Sequence, residues 1–175
     1  NLGLDLQGGS HILMQVEMAP LIKERVEALA DAAKAELRER DIRFNTPQLT
    51  QDGLIVTLQS PDQDNEEAYR AFRNLEDNLE VETLDDGQIS VRYGLQAMTQ
   101  IQDQTIAQSI EIIRRRVDET GTKEPVIQRQ GTDRILVQLP GVDNPEEIKK
   151  LIGKTAKLTF HLVDISATGR SRGTM

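Results

Sequence analysis

The strongest constraint on the fold is the stretch from Thr99 to Gly141, TQIQDQTIAQSIEIIRRRVDETGTKEPVIQRQGTDRILVQLPG. Ile106, Ile110, Ile113 and Val117 recur at i, i+4, i+7 and i+11 and so predict one apolar face of a long helix. Thr99 with Gln102 reads as a capping-box start, and Gly121 as the C-terminal stop. Pro125 favours an extended Glu124 before it. Val126 to Gln130 then leads through the turn Gly131-Thr132-Asp133 into a second strand, in which Ile135, Val137 and Leu139 share one side. A helix followed by such a hairpin requires a sheet with the helix across one face.

The rest of the chain repeats this plan. His11 to Met18 alternates as a strand, and Pro20 opens a helix with Ile22, Val26, Leu29, Ala33 and Leu37 on its buried stripe. Strands are expected at 44–49 and, after the hairpin signal Asp52-Gly53, at 54–58. Asp64 with Glu67 predicts the cap of a second helix carrying Ala68, Phe72, Leu75 and Leu79, and 80–84 a fourth strand. After Gly87 the order restarts: a strand with Ile89, Val91, Tyr93 and Leu95, the helix and hairpin above, a helix capped by Asn144 with Pro145, and a last strand with Leu158, Phe160 and Leu162. The expected fold class is therefore α+β, a tandem ferredoxin-like arrangement of β-α-β-β-α-β twice, with about eight antiparallel strands in one sheet and about four helices. The expected divisions are a lead-in at 1–9, subdomains at 10–87 and 88–164, and a linker at 165–175.

Composition narrows the chemistry. The 175 residues include no cysteine, which excludes disulfides and thiol chemistry, and only 3% aromatic residues, so the core must be aliphatic. A formal charge of −8 argues against a nucleic-acid surface. His11 and His161 lie on strands and form no metal-ligand spacing. No GxSxG elbow or phosphate loop is present, and neither turn after a lead strand holds the arginine of an acylphosphatase-type site. The carboxylates and Arg114-Arg115-Arg116 read as solvated, salt-bridged helix faces. No catalytic, cofactor-binding or metal residue is assigned, no cofactor is implied, and the chain reads as a non-enzyme. No apolar run approaches a membrane span, and a chain beginning Asn1-Leu2-Gly3 reads as a piece of something longer.

Three stretches carry a family resemblance: GLDLQGGSHILMQVE at 3–17, IIRRRVDETGTKEPVIQRQGTDRILVQLPG at 112–141, and IGKTAKLTFHLV at 152–163. Their order and spacing closely resemble the SecD family of bacterial protein-export membrane subunits, over about residues 3–164. The resemblance implies the base part of the first periplasmic domain of a multi-pass protein at the inner membrane, with a mobile head expected after Val163. It implies a non-catalytic coupling or interaction role in export. There the whole protein works with SecF and the SecYEG channel, uses the proton motive force, and acts on the emerging preprotein. Gly3, Asp5, Gly8 and Gly9 carry over as the junction between membrane and base. Gly121, Pro125, Gly131, Pro140 and Gly141 carry over as turn and hinge positions. The alternative from residues alone is a soluble tandem ferredoxin-like regulatory domain that binds a small ligand.

Overall fold

The computed structural model describes residues 9–142, 144–153 and 160–163. The order is β1 (Gly9–Val16), α1 (Met18–Glu39), β2 (Gln48–Leu49), β3 (Gly53–Thr57), α2 (Pro61–Arg73), β4 (Leu79–Thr83), β5 (Gln88–Tyr93), α3 (Leu95–Glu119), β6 (Val126–Gln130), β7 (Arg134–Pro140), α4 (Pro145–Gly153) and β8 (Phe160–Val163). The repeated β-α-β-β-α-β order is thus present along the chain. The strand partners are not those of two consecutive copies. Two antiparallel sheets of four form instead of one sheet of eight, in the orders β6-β7-β1-β8 and β2-β3-β5-β4.

The two leading strands have changed places. β1, which opens the first half, lies between β7 and β8 of the second; β5, which opens the second half, lies between β3 and β4 of the first. The compact units accordingly comprise residues 1–17 with 102–175, and residues 18–101, not 10–87 and 88–164. The physical reason is hydrogen-bond pairing. β1 pairs with β7 over seven positions, from Gly9 opposite Pro140 to Gln15 opposite Arg134, and β5 pairs with β3 over five.

Each unit has its own aliphatic core, as apolar burial requires. In the 18–101 unit, the α1 stripe of Ile22, Val26, Leu29, Ala33 and Leu37 packs with Phe72 of α2 and with Leu54, Val56, Ile89 and Val91 of the sheet. Full burial of Phe72 alone contributes about 1.5–3 kcal/mol. Ala97 and Ile101, in the first turns of α3, complete this core. In the other unit Ile12, Met14, Val16, Ile127, Ile135, Val137 and Leu139 are buried together with Ile106, Ile113 and Val117 of α3.

Local details differ from expectation where side-chain caps do not set the helix ends. α3 begins at Leu95, and Thr99 lies inside it, its Oγ1 donating back to the Leu95 carbonyl at 3.0 Å. α2 begins at Pro61 after Ser60, whose side chain makes no cap bond; Pro at the first position needs no donor there. On α3, Ile110 is only half-buried, and Ser109 is fully buried in the neighbouring position. Its hydroxyl is satisfied by the Thr105 carbonyl at 2.6 Å. The expected strand at 44–49 reduces to Gln48–Leu49 plus one bridge from Phe44 to Leu58. Asn144 does cap α4, accepting from the Glu146 N–H at 3.0 Å.

Candidate functional site

The resemblance-bearing positions that the structure describes all belong to the unit built from both ends of the chain. Gly9 opens β1 directly opposite Pro140 at the end of β7. Gly141 follows with φ 84° and turns the chain towards α4. Val126, opposite Gln138, starts at this same end of the sheet, so the α3–β6 connection with Gly121 and Pro125 arrives there too. Gly9, Pro125, Pro140 and Gly141 therefore lie at one end of the sheet, with Gly121 at the start of the connection that leads there. Gly131 lies apart, with φ 67° in the β6–β7 turn at the opposite end. Gly3, Asp5 and Gly8, with the 165–175 segment, lie outside the described residues.

This end of the sheet is built from tight backbone rather than from chemically active side chains. Gly121 has φ 73°, a left-handed stop in which its N–H donates to the Asp118 carbonyl at 3.1 Å. Glu124 is not extended before Pro125 but has φ 55°, because the chain must reverse between α3 and β6 within a few residues. At the far end the Asp133 carbonyl accepts from the Val16 N–H at 2.8 Å, and its carboxylate accepts from Gln15 Nε2 at 3.0 Å. β1 is thus tied to the β6–β7 turn beyond its ladder. Arg129 holds the same turn through the Gly131 and Thr132 carbonyls and pairs with Asp103 of α3 at 2.8 Å.

Arg114 has a role the sequence did not disclose. Val16 pairing with Asp133 fixes which β7 groups face β1, and hence leaves the Ile127 N–H and C=O on the outer edge of β6. Arg114 Nη2 donates to that Ile127 carbonyl at 3.4 Å. It therefore covers an open sheet edge, whereas the sequence pattern predicts a helix-surface ion pair.

The 18–101 unit carries the features that the residue patterns missed. Tyr93, 3% exposed, places its hydroxyl in the core without a hydrogen-bond partner. Burial first, and then the Glu76 carboxylate, push its ionisation well above the usual phenol range, against a smaller opposing effect of Arg25. A cleft of about 800 Å³ opens between α2 and the end of β4, lined by Asp62, Glu66, Tyr69, Leu84, Asp85 and Asp86 among others. Its two walls, 61–69 and 83–87, belong to different elements, so periodicity within either could not reveal it. Among the described residues no group of three or more His, Asp or Glu is arranged to hold a metal ion, and no helix is long and apolar enough to cross a membrane.

Comparison with known proteins follows the same division. The SecD/SecF GG motif matches residues 1–20, and the family described as protein translocase subunit SecDF, P1 domain, N-terminal, matches residues 106–165. These are the two arms of one unit, and the stretch between them nearly coincides with the 18–101 unit. The protein translocase subunit SecD of Rickettsia typhi is 37% identical over 170 residues, covering 95% of this chain and 32% of the relative. That of Acetobacter pasteurianus is 39% identical over 169 residues, 94% of this chain and 32% of the relative. That of Haemophilus influenzae is 36% identical over 167 residues, 95% of this chain and 27% of the relative. The chain spans about a third of the length of the curated relatives it matches. With the GG motif on the central strand of one sheet and the P1 match on its remaining elements, the chain belongs to the SecD family of protein translocase subunits.

Proposed function

We propose that this chain is the base of the first periplasmic domain of a SecD subunit. In this reading the whole protein, working with SecF and the SecYEG channel, uses the proton motive force to assist preprotein translocation. The chain's part in it is mechanical coupling and interaction, without catalysis. The observation that carries the reading is the position of the GG-motif strand. β1 is flanked by β7 and β8 and further tied at Val16 and Gln15 to Asp133. Tension applied along β1 from residues 1–8 would load those hydrogen bonds together, in shear, and not one after another from an edge. A strand so held suits a part that must move as one body with a membrane helix. Gly3, Asp5, Gly8 and Gly9 would form the joint, and Gly121, Pro125, Gly131, Pro140 and Gly141 the turns around the rigid sheet.

The strand order also supports a ferredoxin-like reading of each sheet. Counted from the exchanged leading strand, β1 in one sheet and β5 in the other, both sheets run second, third, first, fourth, although β5 is also joined to β4 by the short 84–87 turn. The functional test uses membrane vesicles depleted of SecD and then supplied with the full-length protein. Restored proton-gradient-dependent translocation, co-purification of SecF, and crosslinks from this domain to an arrested preprotein are expected. A full-length protein that restores no translocation overturns the reading.

A further inference from the structure

β4 is an edge strand of the 18–101 unit, paired among the described residues only with β5. Its register is continuous from Leu79 opposite Tyr93 to Thr83 opposite Ile89. The Leu84 N–H donates to the Gln88 carbonyl and the Tyr93 N–H to Asp52 on the other side of β5. Antiparallel alternation then turns the backbone of Glu80 and Glu82 towards β5, and that of Leu79, Val81 and Thr83 outward. Among the described residues no hydrogen bond meets those outward N–H and C=O groups. By contrast, Arg114 covers a carbonyl on the β6 edge, and the β2 edge has only two residues. Natural edges are usually protected by Lys, Pro, a bulge or a covering element. β4 has no Lys, no Pro and no bulge in its register.

What it has instead is negative charge. Residues 18–101 hold 17 acidic and 9 basic residues, and the remaining residues hold 12 of each, so this unit accounts for the whole formal charge of −8. Glu80 and Glu82 are exposed on β4, Glu80 in an ion pair with Arg92 at 2.6 Å, and Thr83 at its end leads into a cleft lined by Asp62, Glu66, Asp85 and Asp86, of which Glu66 is paired with Arg70. A second copy of this edge would bring like charges together. A basic strand would find the opposite charges of Glu82, Asp62, Asp85 and Asp86 along its path and a partly apolar groove at Leu84 and at Tyr69, whose ring also meets Arg73 at 5.9 Å.

We propose that the free edge of β4 and the acidic cleft at its end take up an extended, basic stretch of polypeptide by strand addition. Main-chain bonds to Leu79, Val81 and Thr83 supply affinity that is indifferent to sequence, while the carboxylates of the cleft select lysine and arginine. The proposal names a substrate class for the translocase reading and rests on that reading only for the source of the segment, an unfolded chain in transit.

The test measures binding of labelled, unstructured peptides of about twelve residues to this 175-residue protein. One peptide alternates Thr or Val with Lys, a second carries Glu in place of Lys, and a third keeps Lys but has alternate backbone nitrogens methylated. The lysine peptide is expected to bind about tenfold or more tighter than either of the others, and more weakly as salt rises. Val81→Pro removes an outward donor without touching the β5 ladder and is expected to abolish binding with an unchanged circular dichroism spectrum. Asp62→Asn with Asp85→Asn is expected to weaken the lysine peptide about tenfold and to leave the glutamate peptide no weaker. Equal binding of the methylated peptide, equal binding of the glutamate peptide, or no saturable binding of the lysine peptide overturns the proposal. So does a dimer of the protein that Val81→Pro dissolves, which would assign the edge to a second copy. The two readings separate in vesicles: if peptides fail to bind while full-length SecD restores translocation, the edge site falls and the translocase role stands. If peptides bind while translocation is not restored, the reverse holds.

Discussion

Gly121 and Gly53 are glycines for different reasons, and substitution separates them. Gly121 has φ 73° and open space where a Cβ would sit, so Gly121→Ala incurs backbone strain alone, about 1–2 kcal/mol. A Cβ on Gly53 would meet the backbone of Val91 and Arg92 across the β3–β5 pair, the nearest atom at 2.0 Å. Gly53→Ala must therefore move a strand, and is expected to cost more than Gly121→Ala in urea unfolding, by at least about 1 kcal/mol. Equal costs would show that the β3–β5 approach is looser than described. Tyr93 supplies a prediction in pH. Its ionisation is raised in the folded state from the ordinary value of 10.0, so the neutral phenol is the form that the fold favours. That contribution is fully present below pH 10 and is lost as pH rises beyond it, since the unfolded chain then releases a proton the folded chain retains. The Tyr93 hydroxyl is near enough to Glu76 and Arg25 for both to act on its ionisation but makes no hydrogen bond of normal geometry, so Tyr93→Phe should change stability at pH 7 by less than about 1 kcal/mol. It should also flatten the alkaline decline in thermal stability; an unaltered decline would locate its cause elsewhere.

At the scale of elements, the order of strands and helices was legible and their partners were not. The periodicities that marked β1 and β5 are nearly interchangeable: Ile12, Met14 and Val16 face one core, and Ile89, Val91 and Tyr93 the other. Alternation states which side of a strand is buried and leaves open which sheet buries it. In a chain that repeats β-α-β-β-α-β, a leading strand fits either sheet, so reading the halves as self-contained was the simpler inference and the wrong one. The turn-forming glycines of the second half were legible because positive φ is a local requirement, whereas the cleft beside β4 depends on a long-range approach of α2. The exchange has a direct consequence. Ile89→Ala and Met14→Ala each empty a fully buried site and should each cost about 2–5 kcal/mol. With exchanged strands, Ile89→Ala should speed amide exchange in β3 and β4, and Met14→Ala in β6 and β7, although each residue lies in the opposite half of the sequence. If Ile89→Ala instead loosened β6 and β7, the strand exchange would be refuted.

For the whole molecule, the division of contacts and the family matches make the same cut by independent routes. One unit takes residues 1–17 and 102–175, and the SecD/SecF GG motif and P1 matches fall at 1–20 and 106–165. The other is a continuous segment, 18–101, with a closed aliphatic core that includes its own leading helix and Ala97 and Ile101 of α3. A continuous segment with a complete core, set between two arms that pair with each other, has the organisation of an inserted domain. Joining Glu17 to Gln102 through a short Gly/Ser linker should therefore leave β1 paired with β7, because every strand of that sheet and the Val16–Asp133 bond remain. The excised 18–101 segment should fold as well. At about 84 residues it should have a stability on the order of 4–12 kcal/mol, lower at low salt because the whole net charge of −8 is confined to it. Cooperative thermal unfolding of both pieces, with slow amide exchange in β7 of one and β5 of the other, is the expected outcome. A shortened chain that loses protection in β7 would mean that the 18–101 unit is needed to form the sheet carrying the GG motif.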